Sequence, residues 1–266
     1  MGALAITDAE FNQFRRFIFE ATGISMANGK QALVSGRLAR RVAHLQMSSY
    51  GEYLNLLGSG KDQAEQQVAV DLLTTNETYF FREPRHFDAL RKAAAEPCAG
   101  PFRVWSAACS SGEEAYSIAM TLSDVLAERS WELLGSDISS RVLARARRGH
   151  YPLERIDRLP PTYLKRFCLK GQGQHEGTML VERQLRQRVQ FLQVNLNQPL
   201  PPVGMFDVIF LRNVMIYFSL ETKRQVVERV LAQLKPGGYL YVGHSETLNE
   251  ISQAVRPVAP SIYRKP

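Results

Sequence analysis

Polar and aromatic side chains are closely interleaved in the stretch TTNETYFFREPRHF, residues 74–87. Four polar side chains that could hold a ligand surround the three consecutive aromatics at 79–81; they are those of Asn76, Glu77, Thr78 and Arg82. Aromatic side chains of this size are usually buried in a soluble protein. Polar groups set among buried rings predict a ligand site from which water is largely excluded.

A second group of candidate residues follows two predicted strands. The loop at 107–112, within SAACSSGEEAYS, consists of small residues, so a ligand can approach its backbone, and Glu113 and Glu114 open the next helix. Two carboxylates at that place argue against a phosphate and suit a ligand with an amine. Asp137 ends the second strand, where an acidic residue accepts hydrogen bonds from ribose hydroxyls or caps the following helix. A nucleoside with an amino-acid amine and no phosphate is S-adenosylmethionine.

A third group follows the predicted strand FDVIFLRN, residues 206–213. It contributes Arg212 and Asn213, and Tyr217 comes shortly after. The Pro-Pro pair that follows Asn or Asp in methyltransferases of exocyclic amines is absent, which argues against a nucleobase as the acceptor. The GHSE sequence at 243–246 has no GxSxG elbow, so we interpret it as a loop beside the cofactor rather than as a serine nucleophile.

Cysteine and histidine spacing predicts no metal cofactor. The three cysteines, Cys98, Cys109 and Cys168, lie far apart and form no CxxC, and the five histidines form no paired ligand motif. A disulfide framework and a zinc site are therefore both unexpected.

These candidate residues need a sheet to position them, and the pattern from residue 100 onward supplies one. Apolar strands alternate with amphipathic helices, which predicts a mostly parallel sheet covered by helices on both faces. The rhythm breaks over about 160–195, where short strand-like runs flank GQGQHEG; this segment predicts a small antiparallel insert. Ligands of such sheets bind beyond the carboxyl ends of the strands.

Residues 1–75 show helical periodicity only and predict a small all-helical domain. In its second helix Arg37, Arg40, Arg41 and His44 share one face at i, i+3, i+4 and i+7. The domain holds seven basic and seven acidic residues, whereas 136–190 holds twelve and five, which equals the whole net charge of +7. Such a local surplus indicates an acidic partner or a solvated face.

The chain shows no run of 18 apolar residues, and its first residues do not resemble a signal or transit peptide. We therefore expect a cytoplasmic protein.

Taken in order along nearly the whole chain, five motifs resemble the CheR family of chemotaxis receptor glutamate O-methyltransferases. They are NETYFFRE, SAACSSGEEAYSIAM, GSDIS followed by ARRGHY, FDVIFLRNVMIYF, and LKPGGYLYVGHSE. The departures are mild: Ala115 stands where the family usually has Pro, and Leu211 where Cys is common. The resemblance implies an α/β fold, a Rossmann-like class I S-adenosylmethionine methyltransferase domain at 76–266, with the antiparallel insert as a β-subdomain and the helical domain in front.

The resemblance also implies roles for individual residues. Contacts to S-adenosylmethionine are implied for Asn76, Thr78, Arg82, Glu113, Asp137, Asn195, Leu196, Arg212 and Asn213, and catalytic roles for Arg82 and Tyr217. The implied acceptor is a glutamate side chain on the cytoplasmic helices of a chemoreceptor. We expect the basic stripe of Arg37, Arg40, Arg41 and His44 to dock those acidic helices. A receptor's C-terminal tail could bind the β-subdomain by strand addition, and we expect a monomer.

Two alternatives from other classes remain. A non-catalytic S-adenosylmethionine sensor would be expected to lack the Arg82 and Tyr217 residue types, and both are present. A methyltransferase of RNA or DNA would suit the basic surplus, but the Pro-Pro signature and an aromatic stacking platform beside the basic insert are both missing.

Overall fold

The computed structural model describes residues 5–97, 100–127 and 129–266. Its chain divides into two compact units: residues 1–75 with 217–222 form the helical unit, and residues 76–216 with 223–266 form the α/β unit. The return of 217–222 to the helical unit has no counterpart in the sequence-based domain assignment. Cys98 lies outside the described residues, and Cys109 and Cys168 are free thiols.

Four helices build the helical unit: α1 (Asp8–Thr22), α2 (Gln31–His44), α3 (Tyr50–Gly58) and α4 (Gln63–Leu73). Thr7 and Glu10 form the capping box that starts α1, and Gly23 ends it in the left-handed conformation at φ 77°. The apolar face of α1 supplies Phe14, which is fully buried and meets the ring of Tyr50 edge-on at 6.4 Å between centroids. Tertiary packing of amphipathic faces therefore stabilises these short helices.

The α/β unit contains the remaining helices and all named strands of the described chain. Its helices are α5 (Arg85–Ala95), α6 (Glu113–Leu126), α7 (Ser140–Arg148), α8 (Pro161–Phe167), α9 (Arg183–Gln187) and most of α10 (Leu220–Ala232). Its strands are β1 (Phe102–Ser106), β2 (Trp131–Asp137), β3 (His150–Pro152), β4 (Cys168–Lys170), β5 (Thr178–Val181), β6 (Val189–Gln193), β7 (Phe206–Leu211), β8 (Leu234–Val242), β9 (Arg256–Ala259) and β10 (Ile262–Arg264).

The main sheet has seven strands in the order β6-β2-β1-β7-β8-β10-β9. The first five run parallel, and β10 and β9 add antiparallel pairs at one edge. The strand order reverses between β1 and β7, so the loops that follow these strands flank the crevice in which such sheets bind ligands. Apolar residues fill the strands beside this point, with Val104, Val208 and Phe210 fully buried.

The antiparallel insert is present, but its predicted bounds of about 160–195 are wrong. The small sheet has the order β3-β5-β4 and begins at His150, because β3 pairs with β5 in the register Tyr151↔Met179. At the other end, residues 189–193 form β6, which joins the main sheet beside β2. Strand pairing over long sequence distances decides both bounds, and local periodicity does not report it.

The KPGG sequence at 235–238 belongs to a strand rather than to the end of the preceding helix. Helix α10 already stops at Ala232, and KPGG lies inside β8. A shift in the β7–β8 register, from Phe206↔Leu234 to Val208↔Tyr239, accommodates the extra residues there. None of the described helices is both long and apolar enough to cross a membrane.

Candidate cofactor site and its neighbours

The loop after β1 and the end of β2 are joined through Asp137. The backbone N–H groups of Ser110 and Ser139 each donate to its carboxylate at 2.9 Å, and its side chain is nearly buried. The N-cap of α7 is Ser139, whose side chain accepts from the N–H of Val142, so the capping alternative for Asp137 is not the observed one. Asp137 instead fixes the loop that a nucleoside would approach.

Close packing explains the glycine in this loop. Gly112 has a φ of +98°, and a Cβ built on it would lie 2.9 Å from the hydroxyl of Tyr151 and from the Cβ of Ala146. Ser110, also at a positive φ of 49°, donates its hydroxyl to the carbonyl of Asn76 at 2.8 Å. The loop after β1 is therefore attached to the NETYFFRE segment, and two of the three sequence-predicted groups meet.

Glu113 is completely buried at the first turn of α6. The hydroxyl of Ser111 donates to its Oε2 at 2.7 Å, whereas its Oε1 accepts no hydrogen bond from any described residue. A guanidinium nitrogen of Arg155 lies 3.1 Å from that Oε1 as an ion pair. Burial raises the pKa of Glu113. The hydrogen bond from Ser111 and the charge of Arg155 act in the opposite direction without cancelling the rise. A buried carboxylate oxygen with spare acceptor capacity fits the amine of an amino-acid ligand.

Two of the three NETYFFRE aromatics, Phe80 and Phe81, are buried as predicted, whereas Tyr79 is half-buried. The neighbours of the two buried rings belong to the α/β unit. Phe80 meets Tyr151 edge-on at 5.1 Å between ring centroids, and Phe81 lies 5.6 Å from Tyr163. The backbone N–H of Phe81 donates to the hydroxyl of Ser117 at 2.9 Å. These rings hold the segment against α6 and the β-subdomain, so its polar groups keep a fixed backbone.

Arg82 makes few internal contacts. Its guanidinium donates to the carbonyl of Glu77 at 3.3 Å and lies over the ring of Tyr79 at 5.6 Å. No ion pair joins it to Glu77 or Glu83 among the described residues, although both carboxylates are near in sequence. Among the described residues, a carbonyl and a ring rather than a structural ion pair therefore hold this guanidinium.

Arg212 directly follows β7 and is held by internal partners. Its side chain is 1% exposed and bridges two carboxylates, donating to Glu114 at 2.8 Å and to Glu83 at 2.9 Å, and it also donates to the backbone carbonyl of Arg82. The guanidinium is therefore committed to holding β7, α6 and the NETYFFRE segment together. Its predicted contact with the cofactor stays a prediction.

Glu83 and Glu246 are functional candidates that the sequence analysis missed. Glu83 is partly buried, which raises its pKa, but the charge of Arg212 and its hydrogen bond prevail and the pKa is lowered. Glu246 accepts the N–H groups of Asn213 and Gly243, both at 2.7 Å, and burial raises its pKa. Asn213 has a positive φ of 55°, so Glu246 stabilises a strained turn directly after β7. In the sequence, Glu83 is the last residue of FFRE and Glu246 is the last residue of GHSE, and these positions within two motifs were the signal that could have identified them.

Asn195 and Leu196 follow β6 at the same edge of the sheet. The side-chain oxygen of Asn195 accepts the N–H of Asn197 at 3.0 Å, and the N–H of Val194 donates to the carbonyl of Asp137 at 3.0 Å. Leu196 is 7% exposed. The pair therefore directly follows a residue that is hydrogen-bonded to Asp137, and its contact with adenine stays a prediction.

One cluster could offer ligands to a metal ion. Single ligand atoms of Glu83, His86 and His244 lie within 4.8 Å of one another. Arg212, however, already donates to the same Glu83 oxygen that faces His86. The carboxylate has a cationic partner, and the absence of a metal cofactor stays a prediction.

Tyr217 lies at the end of the 3₁₀ turn 215–217, in the segment that belongs to the helical unit. Its carbonyl accepts the N–H of Ser25 at 2.7 Å, and its side chain is half-buried. The catalytic role of this side chain stays a prediction.

The basic stripe on α2 is only partly available for a partner. Arg37 donates to the carbonyl of Leu73 at 2.6 Å, and Arg41 forms a bidentate ion pair with the buried carboxylate of Glu65. The exposed members are Arg40 and His44. Internal contacts therefore hold two residues of the stripe, and the other two face the solvent.

Comparisons with known proteins cover both units. Residues 76–263 match the family described as "CheR methyltransferase, SAM binding domain", and residues 9–74 match "CheR methyltransferase, all-alpha domain". The "Chemotaxis protein methyltransferase" of Escherichia coli K12 is 42% identical over 264 residues, which are 98% of this chain and 92% of that protein. The Salmonella typhimurium protein is 43% identical (98% and 91%), and "Chemotaxis protein methyltransferase 2" of Pseudomonas aeruginosa is 43% identical (97% and 93%).

Proposed function

Since the chain belongs to the CheR family of chemotaxis methyltransferases, an S-adenosylmethionine-dependent family, we propose that it methylates glutamate side chains of chemoreceptors. The product is a methyl ester on the cytoplasmic helices of the receptor. The observation that carries the proposal is the buried Oε1 of Glu113, which lacks a hydrogen bond among the described residues and lies beside a loop of small residues.

Residues of the α/β unit would hold the methyl donor, whose sulfonium supplies a reactive methyl group. Glu113 accepts a hydrogen bond from the amine of the methionine part, and Asp137 accepts from the ribose hydroxyls. Asn195 and Leu196 border the adenine, while the polypeptide around Asn76 contributes backbone and side-chain groups. This assignment is supported by the hydrogen bonds that join these segments at the carboxyl ends of β1 and β2.

The acceptor carboxylate needs no general base, because a glutamate side chain is already ionised at pH 7. Charge is neutralised as the methyl moves to the carboxylate, and a site with little water favours such a step. The chain's task is to hold the carboxylate in line with the methyl group, which can contribute several powers of ten in rate. We assign that orienting role to Arg82, whose guanidinium forms no ion pair among the described residues.

Tyr217 is the second residue that we propose for catalysis. Thr78, Arg212 and Asn213 are proposed to shape the pocket. For Arg212 we propose that it holds Glu83 and Glu114 in place, since its Nη2 and Nη1 form ion pairs with them.

Partner binding is proposed at two places. The exposed residues Arg40 and His44 would attract the acidic methylation helices, with Arg37 and Arg41 adding charge behind them. Strands β3 and β4 are the outer strands of the small sheet, so a receptor's C-terminal tail could add to one of them. Because the acceptor helices are cytoplasmic, we place the protein in the cytoplasm, acting as a monomer.

Methyl transfer can be tested with radiolabelled S-adenosylmethionine and receptor-containing membranes. We expect label on the receptor that mild base releases as methanol, because methyl esters hydrolyse and N-methyl groups do not. Arg82→Lys and Tyr217→Phe should reduce the rate at least ten-fold while S-adenosylhomocysteine binding is retained. Base-stable label, or full activity of both variants, would contradict the proposal.

A further inference from the structure

Arg155 reaches the same carboxylate oxygen that we assign to the cofactor's amine. It lies on the 3₁₀ turn 153–155 that follows β3. Its Nη2 is 3.1 Å from Oε1 of Glu113 and also donates to the carbonyl of Thr78 at 3.1 Å. The β-subdomain thereby contributes a cation to the deepest carboxylate of the site.

The contact leaves most of the hydrogen-bonding capacity of both groups unused. The pair is an ion contact without hydrogen-bond geometry, since Oε1 of Glu113 accepts no hydrogen bond from a described residue. Nε and Nη1 of Arg155 donate to no described residue, and the side chain is 35% exposed. A guanidinium has five N–H donors arranged in a fork that matches a carboxylate.

An amino-acid ligand carries its ammonium and its carboxylate on the same carbon atom. Two protein groups of opposite sign, side by side, are what such a zwitterion requires. Glu113 and Arg155 form such a pair, and their charges would alternate with those of the ligand. The buried carboxylate alone would attract the amine but would repel the ligand's own carboxylate.

Two other arginines, Arg82 and Arg158, are directed elsewhere. The guanidinium groups of Arg82 and Arg158 lie over the ring of Tyr79, at 5.6 and 5.4 Å from its centroid. Among the described arginines, Arg155 is the one with an ion pair to Glu113.

We propose that Arg155 binds the α-carboxylate of the methionine part of S-adenosylmethionine, so that Glu113 and Arg155 together recognise the amino-acid end of the cofactor. The proposal rests on the proposed function, because it takes the cofactor pocket to lie at Glu113. It assigns a cofactor contact to the β-subdomain, beyond any peptide that this subdomain binds.

Calorimetric titration of the full chain separates this role from a structural one. The two ligands are S-adenosylhomocysteine and its decarboxylated analogue, which keeps the amine and lacks the carboxylate. Removing one charge-assisted carboxylate contact should weaken binding roughly ten- to a hundred-fold. We therefore expect Arg155→Gln to bind S-adenosylhomocysteine ten- to a hundred-fold more weakly than the unchanged protein, and to bind the analogue with unchanged affinity. Arg155→Lys should have an affinity for S-adenosylhomocysteine between those of Arg155→Gln and the unchanged protein.

The matched control is Arg158→Gln, which removes the same charge from the same loop and should leave both affinities within about two-fold, a shift of about 0.4 kcal/mol. Equal losses for both ligands in Arg155→Gln would overturn the proposal, since Arg155 would then only support Glu113. No loss for either ligand would overturn it as well. These affinity measurements need no receptor. If the two ligands show the expected difference in affinity but the protein does not methylate a receptor, the proposed function alone would be contradicted.

Discussion

Replacing Arg212 by methionine should destabilise the α/β unit strongly. The substitution keeps a long side chain between Phe87 and Phe210, whose rings lie 5.9 Å from the guanidinium carbon. It removes the only charge that the structure shows bridging Glu83 and Glu114 within the described chain. Both carboxylates then face each other across a buried space without a cation.

The expected size follows from the burial of the partners. Arg212 is 1% exposed and each carboxylate is 11% exposed, so water can solvate the remaining charges only weakly. Removing one partner of a buried ion pair costs about 3–5 kcal/mol, against a typical domain stability of about 5–15 kcal/mol. With a urea slope of about 2 kcal/mol per M, the unfolding midpoint falls by about 2 M.

Tryptophan fluorescence in urea reports on unfolding of the α/β unit, because Trp105 and Trp131 are both buried there. The control is Arg166→Met, which breaks the ion pair with Asp124, where the side chains are 55% and 36% exposed; it should cost less than about 1 kcal/mol. The deficit of Arg212→Met should shrink as the pH is lowered from 7, because unpaired buried carboxylates take up protons readily. Equal midpoints for the two variants would refute the argument.

Three further outcomes are expected. Burial, aided by the charge of Arg212, lowers the pKa of His86 to about 3. Below pH 6.5 the unfolded chain therefore takes up a proton that the folded chain does not. The free energy of unfolding should then fall by up to about 1.4 kcal/mol per pH unit as the pH is lowered. His86→Phe should flatten that slope in urea titrations at pH 7.5 and 5.5; an unchanged slope would point to other groups. Gly112→Ala should cost more than about 1 kcal/mol in the same assay and weaken S-adenosylhomocysteine binding in calorimetry, because its φ is +98° and its Cβ would meet Tyr151; a variant with normal stability and affinity would show that the loop relaxes freely. Arg40→Glu should slow receptor methylation several-fold at low salt without changing cofactor affinity, whereas Arg16→Glu, an exposed reversal on α1, should not; similar effects of both would remove Arg40 as a docking residue.

Local patterns in the sequence were sufficient for the alternation of strands and helices and for the small-residue loop before Glu113. Both depend on the nature and spacing of neighbouring residues, which a single sequence records. The partners of Arg212 were not predictable in this way, since Glu114 and Glu83 lie 98 and 129 residues away along the chain. The same holds for Arg41. Helical periodicity places it in the basic stripe, whereas in the structure it forms an ion pair with Glu65.

The bounds of the β-subdomain were missed for a related reason. Strand β3 has three residues and becomes a strand only through its pairing with β5, which begins 26 residues after it ends. Short strands have little periodicity of their own. Register is a tertiary property, and one sequence without its partners does not determine it.

The return of residues 217–222 to the helical unit has a consequence for how the protein is made. Ile24 forms a β-bridge with Phe218, and Ser25 donates to the carbonyl of Tyr217, across about 190 residues of intervening chain. During synthesis the four N-terminal helices emerge first, but the unit to which they belong is complete only after residues 76–216, about three quarters of the α/β unit, have left the ribosome. A fragment that ends at Thr75 would therefore lack part of its own fold, and isolated helical domains of this chain should be produced with residues 217–222 supplied.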